Sequence, residues 1–301
     1  MLRTSKTVDH AVDAMALSAE LSRDEQGVIF VQLCNVLDPG LAIALASVSN
    51  ELRTATRAPL QQLKTEHEAA AALCRKLGHR DCKALREAKE VNWWNKGLTV
   101  DELALLGTLG SVLPALETLS LKEPAAGPDD VQRLVAGLGA GAPPAVTKLR
   151  IVSTRVGDAG ALALAAALRQ GALPRLKHLY LFNAAIGDAG LVALAPALRR
   201  LPALGALFLG NNPLGDEGLA ALVAPQPPAR APPPTTGGLA KLKGFGLGYT
   251  QITDAGCATL AAALDSGALP ALEHLYLLGT PASAAAMAAV YATRANLKSE
   301  W

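Results

Sequence analysis

The sequence predicts an α/β fold, a solenoid in which a curved parallel sheet lies inside and helices lie outside. Three observations predict it. Matched anchors recur at Leu149, Leu179 and Leu207, with spacings of about 28 to 30 residues. Each anchor opens a run in which apolar residues alternate, as in a strand with one buried face. A D-x-G turn then precedes apolar residues at i, i+3, i+4 and i+7, which form one helical face.

Each unit has two polar positions with an expected structural role. Asn183, with Asn211 as its counterpart, is expected to satisfy backbone groups where the strand turns back. Asp188 is expected to cap the helix that it opens. The same aspartate recurs in three other units, at Asp158, Asp216 and Asp254.

The combined pattern, L-x-x-L-x-L-x-x-N-x-(I/L)-x-D-x-G, resembles the leucine-rich repeat family. A unit of this length with a full helix is similar to the ribonuclease-inhibitor-like subclass. The resemblance covers about two thirds of the chain. It implies a curved solenoid whose strands line the concave side, and it implies protein binding rather than catalysis.

The repeats extend on both sides of the three clearest units, so the solenoid is predicted to span residues 91–301. Matched anchors stand at Val91, Leu119, Phe245 and Leu275. The unit at Leu119 is degenerate, since Glu123 and a proline occupy its turn. A Pro-rich insertion at 225–238 lengthens one period; it is either a surface insertion or a ligand for an aromatic groove.

An N-terminal helical element is predicted at 1–57. Within it, residues 21–57 resemble an F-box through a central L-D-P and a trailing L-x-x-V-S-x-x-L, although Glu25-Gln26 and Leu52 replace the family's leading Leu-Pro and late Trp. The resemblance implies contacts with the adaptor of a cullin-based ubiquitin ligase, and a helical cap on the solenoid is the alternative. The implied adaptor contacts are Ile29, Phe30, Leu33, Leu37, Pro39 and Leu45.

Residues 58–90 are predicted to be a helical cap or linker. An amphipathic helix is predicted over 60–78, and Gly78 is expected to end it. The cluster of Cys74, His79 and Cys82 lacks a fourth ligand at metal-site spacing, so no metal is expected.

Composition narrows the partners and the compartment. A formal net charge of +2 predicts no nucleic-acid partner, and the absence of an apolar run of about 18 residues predicts no membrane span. Four cysteines without paired spacing favour an intracellular protein, most simply a cytoplasmic one, with an organelle left open. No cofactor is expected, because no phosphate loop or catalytic motif is present.

Strand alternation identifies the side chains expected on the concave face. They include five of the chain's eleven aromatic residues (3 Trp, 4 Tyr and 4 Phe), and aromatic and arginine side chains are enriched in protein interfaces. The alternative is that rings merely suit strands or cover the sheet. His178 and His274 hold equivalent positions three strands apart, about 15 Å, so they cannot share a metal. The predicted partner-binding residues are Trp94, Lys122, Arg150, His178, Tyr180, Phe182, Phe208, His274, Tyr276 and Leu278.

These observations predict a non-enzymatic protein that binds a partner protein through the concave face. Two alternatives remain open. One is an F-box-type substrate receptor of a cullin-based ubiquitin ligase, and the other is a structural or accessory subunit of a multi-subunit assembly.

Overall fold

The computed structural model describes residues 35–48, 53–54, 56–109, 113–141, 145–223 and 239–299. The chain divides into two compact units, Met1–Glu87 and Ala88–Trp301. The first unit contains α1 (Gly40–Val48), α2 (Arg57–Leu77) and α3 (Cys82–Glu87). The second contains β1 (Glu90–Trp94), α4 (Val100–Leu109), β2 (Thr118–Lys122), α5 (Pro128–Gly141), β3 (Lys148–Ile151), α6 (Gly157–Arg169), β4 (His178–Tyr180), α7 (Asp188–Leu198), β5 (Ala206–Phe208), α8 (Asp216–Val223), β6 (Gly244–Gly246), α9 (Asp254–Asp265), β7 (His274–Tyr276) and α10 (Ala284–Ala292).

The long helix of the first unit, α2, ends where the sequence predicts. Gly78 adopts a left-handed conformation with φ of 90°, and its N–H donates to the carbonyl of Arg75. The next N–H, that of His79, donates to the carbonyl of Cys74. This pair of bonds closes the helix C-terminus, and glycine permits it because no Cβ opposes a positive φ.

The second unit is an open sheet of seven parallel strands in chain order, with a helix after every strand. The repeat anchors are neighbours across the sheet: Leu149 pairs with Leu179, and Leu179 pairs with Leu207. The pairing extends to Val91 at one edge and Leu275 at the other. The predicted α/β solenoid is therefore confirmed, and so is the period on which it was based.

The core of the second unit lies between the sheet and the helices. All seven anchors are at most 2% exposed, and each helix from α4 to α10 contacts the next one in the chain. Helix α7 buries Leu191, Leu194 and Leu198 in the predicted spacing. Because every unit covers its neighbour, the apolar faces of strand and helix are removed from water only by stacking.

Two of the repeated aspartates cap a helix, and each of these two caps the helix of the following unit rather than its own. The Oδ1 atom of Asp188, at the start of α7, accepts hydrogen bonds from Gly215 N at 2.6 Å and Gly218 N at 2.9 Å, at the start of α8. Asp158 bonds Gly187 and Gly190 in the same way. The prediction that Asp188 caps its own helix was wrong, because stacking brings a neighbour's unpaired N–H groups closer.

Asp216 and Asp254 continue this series toward the C-terminus. Each receives a backbone N–H from the next unit, from Thr253 and Ser283, and a second bond from the hydroxyl of the same residue. Four successive unit borders are therefore held by the same carboxylate position.

The glycine of the D-x-G turn is required by this contact. A Cβ atom at Gly218 would lie 2.7 Å from Asp188 Oδ1 and 3.2 Å from the Asp188 Cα. The backbone of Asp188 cannot move away from a Cβ atom at that distance. The Asp188 carboxylate can therefore reach the N-terminus of α8 only because Gly218 has no side chain.

The asparagine that holds a turn is Asn212, not the predicted Asn183 or Asn211. Its side chain is 2% exposed. Its Oδ1 accepts from the backbone N–H groups of Ala184 and Ile186 in the preceding unit, at 3.0 and 3.1 Å. Its Nδ2 donates to three carbonyls, those of Leu181, Leu209 and Gly210.

Asn183 and Asn211 serve instead through their backbones. Both are exposed and have φ values of 51° and 55°, a left-handed conformation that asparagine tolerates better than most residues. The side chain that holds the turn, that of Asn212, therefore lies one residue after the position that Asn183 and Asn211 share in the sequence repeat.

The degenerate second repeat solves the same problem with a carboxylate. The Oε2 atom of Glu123, whose side chain is 3% exposed, accepts from Lys96 N at 2.9 Å and Leu98 N at 3.3 Å. These two N–H groups are the counterparts of the two that Asn212 binds. A residue that looks like a departure from the repeat therefore performs the repeat's function.

Arginines satisfy carbonyl groups at the other ends of two helices. The guanidinium of Arg294, just after α10, donates to the carbonyls of Leu264, Ala268 and Leu269. Arg199, just after α7, donates to the carbonyls of Ala221 and Leu222. Helix C-termini thus also depend on a side chain from an adjacent unit.

Replacing Asp188 by alanine should lower the free energy of unfolding by about 2 to 4 kcal/mol, because two buried N–H groups lose a charged acceptor. Urea denaturation of the full chain measures this. Asp129→Ala is the control, since this carboxylate lies in the first turn of α5 and should contribute less than about 1 kcal/mol. Equal effects of the two changes would contradict the role assigned to Asp188.

Replacing Asn212 by alanine should cost at least about 3 kcal/mol, because five hydrogen bonds are lost in a buried turn. Asn211→Ala should cost about 1 kcal/mol, because only the preference for positive φ is lost. The same urea titration compares them. The assignment of the turn to Asn212 would be untenable if Asn211→Ala proved the more damaging change.

Candidate functional site

The candidate site is the side of the sheet whose residues alternate with the buried anchors, here called the open face. Three rows of residues cross it. The middle row consists of Asn92, Ser120, Arg150, Tyr180, Phe208, Gly246 and Tyr276, which pair in register from β1 to β7. The outer row lies two residues later in each unit and consists of Trp94, Lys122, Val152, Phe182, Gly210, Gly248 and Leu278. The first row lies two residues before the middle row.

All ten predicted partner-binding residues lie on these three rows, and each is half-buried or exposed. In the first row are His178 and His274. In the middle row are Arg150, Tyr180, Phe208 and Tyr276; in the outer row are Trp94, Lys122, Phe182 and Leu278. Their capacity to bind a partner remains a prediction.

Three middle-row side chains form a stack across β3, β4 and β5. The rings of Tyr180 and Phe208 are parallel within 2°, with their centroids 4.6 Å apart. The guanidinium carbon of Arg150 lies 5.0 Å from the centroid of Tyr180. Cation–π and ring-stacking contacts therefore order these side chains before any partner arrives.

Two rings of the open face also cover the backbone of β6. A Cβ atom at Gly246 would lie 2.6 Å from Cδ1 of Phe208, so this ring rests directly on the strand. Tyr276 covers Gly248 in the same manner. Part of the surface of these two rings is thus used within the chain, as the covering alternative anticipated.

The outer row carries the most exposed apolar side chains of the sheet. Trp94 is 51% exposed, Phe182 is 40% exposed and Leu278 is 57% exposed. They occupy one position in three different units, at the carboxyl ends of β1, β4 and β7. Large apolar side chains at such positions do not contribute to the core, because the alternate residues of the same strands are the buried ones.

Sequence reasoning missed one exposed aromatic residue beside this row. Tyr249 is 54% exposed and has φ of 57°, and its ring lies against Gly279 of the next unit. It occupies the left-handed position that Asn183 and Asn211 hold in other repeats. A bulky residue at a position that favours asparagine or glycine was the available signal.

Positive charge is concentrated at one end of the open face. Lys122, Lys148 and Arg150 lie on β2 and β3, and no carboxylate occupies any of the three rows from β2 to β7. The nearest acidic member of the rows is Glu90 on β1, which accepts a hydrogen bond from Asn92. The face therefore has a cationic part on β2 and β3 and an uncharged, ring-rich part from β4 onward.

His178 stands where these two parts meet. Burial lowers the pKa of its imidazole, and the positive charges of Lys148 and Lys177 lower it further. The imidazole is therefore neutral near pH 7, because even the ordinary histidine pKa is only about 6.5.

The residues expected to contact a ligase adaptor are divided by the structure. Ile29, Phe30 and Leu33 lie outside the described residues, as does the side chain of Leu45. Leu37 is 4% exposed, so it offers only a small part of its surface to a partner. Pro39 is half-buried.

Within the described ranges, no group of three or more His, Cys, Asp or Glu side chains is arranged to hold a metal ion. Cys74 and Cys82 are buried with their Sγ atoms 3.6 Å apart, and burial raises the pKa of the Cys74 thiol to about 12. A thiol with that pKa is a poor nucleophile at neutral pH. Among the helices that the structure describes, none has both the length and the apolar character needed to cross a membrane.

Known proteins were compared with this chain by family, by sequence and by structure. The leucine-rich repeat family matches residues 173–195 and 206–223, which contain β4, α7 up to residue 195, β5 and α8. Among solved structures, Leiomodin-1 Actin-Binding Site 2 is similar, with 16% sequence identity and a TM-score of 0.37 over 56% of this chain and 88% of that chain. A search of curated proteins found no match.

The repeat geometry and the two matched segments thus support a leucine-rich repeat protein. Its seven units share a parallel sheet, and one face of that sheet carries an ordered set of aromatic and basic side chains. Leucine-rich repeats generally serve as protein-binding scaffolds, so the class indicates a protein-interaction module.

His178 should make stability fall below about pH 6.5. The unfolded chain, with the ordinary imidazole pKa of about 6.5, binds a proton more readily than the folded chain, whose His178 pKa is lowered. The stabilisation is therefore present above the unfolded pKa and is lost as pH falls through that value toward the lowered one.

Thermal melting of wild type and His178→Gln at about pH 7.5 and about pH 5.5, on either side of the ordinary pKa, measures this contribution. The wild type should lose more of its melting temperature than the variant does. His79→Gln, in the first unit, controls for a general effect of removing a histidine. An identical pH response in wild type and His178→Gln would refute the lowered pKa.

Proposed function

We propose that this chain is a non-enzymatic module that binds a partner protein through the open face of its repeat sheet. The observation that carries the proposal is the outer row, where Trp94, Phe182 and Leu278 present exposed apolar surface at one position of three units. Aromatic side chains in an interface supply much of its binding energy. The full helix in each unit also supports assignment to the ribonuclease-inhibitor-like subclass.

The stacked rings of the middle row support the same proposal. Tyr180 and Phe208 are held parallel on neighbouring strands, so a partner would meet an ordered surface. Ordering side chains in advance reduces the entropy that binding must otherwise remove. Tyr249 extends the apolar surface toward the last unit.

A triple substitution of the outer row tests the proposal. Trp94→Ala with Phe182→Ala and Leu278→Ala should weaken partner capture at least about tenfold, which corresponds to one strong interface residue. The readout is affinity capture from native extract with quantitative mass spectrometry, comparing the tagged wild-type and variant chains. The melting temperature should change little, because these side chains lie outside the core.

A matched control removes exposed apolar side chains from the helices. Leu162→Ala with Val192→Ala takes away residues that are 54% and 39% exposed on α6 and α7. Its captured proteins should equal those of the wild type. The proposal fails if the triple variant captures the same proteins in the same amounts, or if only the helix variant loses them.

The adaptor role is a second candidate, because one observation favours it. Leu37 and Pro39 line an open depression of about 320 Å³ in the first unit, whose other lining residues include His67 and Arg75. Ile43 on α1 is an accessible apolar residue of the same unit, with 49% of its surface exposed. An F-box-type receptor would use this region to bind a cullin adaptor while the sheet selects a target.

Co-purification separates the candidates. Loss of a captured cullin adaptor in Ile43→Asp, with other captured proteins retained, would support the receptor role. A protein that stays bound in fixed stoichiometry through every purification step would instead support an accessory subunit of a larger assembly. Absence of any adaptor from the wild-type capture removes the receptor role.

A further inference from the structure

The cationic part of the open face and its border with the ring-rich part contain polar groups that have no hydrogen-bond partner among the described residues. Arg150 Nε is buried without an acceptor, and Ser120 Oγ and His178 Nδ1 are likewise buried without a hydrogen bond. Ser120 pairs in register with Arg150 in the middle row, and His178 pairs with Lys148 in the first row. Three unmatched polar groups therefore lie on adjacent strands, about 4.8 Å from one strand to the next.

Such groups cost free energy in the isolated chain. A buried donor without an acceptor loses its water and gains nothing in return, and more than nine in ten buried polar groups of folded proteins are paired. Among the described residues a fourth such atom, Trp93 Nε1, belongs to a core side chain on β1, whereas the other three lie together on β2 to β4. Ser120 is fully buried, but Arg150 and His178 are only half-buried, so an external group can reach these two side chains.

The missing group should be an acceptor with negative charge. Arg150 makes no ion pair or hydrogen bond with any residue that the structure describes, and its guanidinium carbon lies 5.0 Å from the centroid of the Tyr180 ring. A guanidinium has five N–H donors and no acceptor, and it binds carboxylates through two parallel hydrogen bonds. Lys122 and Lys148 add positive charge on either side, and no carboxylate lies on the three rows from β2 to β7.

The surface next to this cationic part is flat and apolar. Tyr180 separates the guanidinium of Arg150 from Phe208, and Phe208 rests on Gly246. A chain that placed a carboxylate on Arg150 would lay its next side chains over two stacked rings. The two halves together match a segment in which acidic and apolar residues are close in sequence.

We propose that β2 to β5 of the open face bind an acidic segment of a partner protein, with a carboxylate on Arg150 and an apolar side chain on the rings of Tyr180 and Phe208. This inference rests on the proposed function and names the chemistry of the partner. Charge complementarity selects this occupant. Nucleic acid is disfavoured, because three cations do not form the continuous basic stripe that a phosphate backbone requires.

Selection of peptides tests the proposal with the full chain. A displayed library of random peptides is selected against immobilised wild type, and the enriched peptides are sequenced. Asp and Glu should be enriched over the unselected library, next to Leu, Phe, Tyr or Trp. The best peptide is then synthesised with a fluorescent label, and its Kd is measured by anisotropy at low and high salt.

Substitution of Arg150 should raise the Kd of the best peptide at least about tenfold, as expected when a charge-assisted pair is lost. The variant is Arg150→Gln, and Arg133→Gln on α5 is the matched control, because it removes an exposed arginine from a helix. Circular dichroism and melting temperature verify that both variants fold. If Arg150→Gln does not fold, Lys122→Gln with Lys148→Gln replaces it, with the same expected direction.

Charge reversal sharpens the test. A peptide in which Glu is replaced by Lys should not bind wild type, but it should bind Arg150→Glu better than the parent peptide does. A general loss of structure cannot produce that exchange of preference.

The remaining outcomes are decisive in other directions. Enriched peptides without excess acid, whose binding is lost in the Trp94, Phe182 and Leu278 triple variant, would overturn the acidic partner and leave the proposed function intact. Acidic peptides that bind Arg150→Gln and wild type equally would overturn the assigned site. If no peptide is enriched but labelled oligo-dT binds tightly and Arg150→Gln abolishes that binding, the partner is a single-stranded nucleic acid and the proposal is overturned. No enriched peptide and no oligo-dT binding would overturn it outright.

Discussion

The second unit depends on one constraint: the backbone N–H groups exposed by the turn from strand to helix must find acceptors, and side chains of adjacent units supply many of them. Asp188 reaches forward to the N-terminus of α8, whereas Asn212 reaches back to the turn of the preceding unit. A single unit would leave both sets unsatisfied, at a cost of about 1 to 3 kcal/mol for each buried group. Stacking is therefore a requirement of hydrogen bonding as well as of hydrophobic burial.

This division of work leaves the open face free for other chemistry. The anchors and the turns hold the sheet together, so residues that alternate with the anchors are under little structural demand. The exception is the unit of β6, in which Gly246 and Gly248 have no side chains and are covered by the rings of Phe208 and Tyr276. Some of the rings thus serve the fold, and those at the carboxyl ends of the strands do not.

The open face also changes chemically along the solenoid. Its early strands carry Lys122, Lys148 and Arg150, and its later strands carry rings, glycines and Leu278. The sheet places successive units side by side in chain order. The change from basic to aromatic side chains therefore runs in a straight line across the strands, one strand spacing for each unit. An extended partner that matched both halves would be held in one direction only, since reversing it would place apolar residues on the cations.

The sequence by itself determined the period, the strand anchors and the side chains of the open face, because alternation and helical spacing are local properties that survive in any stacked arrangement. It did not determine which neighbour each polar side chain serves. Asp188 was assigned to its own helix, the turn was assigned to Asn183 and Asn211, and Glu123 was taken as a departure from the repeat. The structure shows Asp188, Asn212 and Glu123 bonded to atoms about 30 residues away in the chain. Only the tertiary structure decided these partners, because hydrogen bonds form between groups that stacking brings together, whatever their separation in sequence.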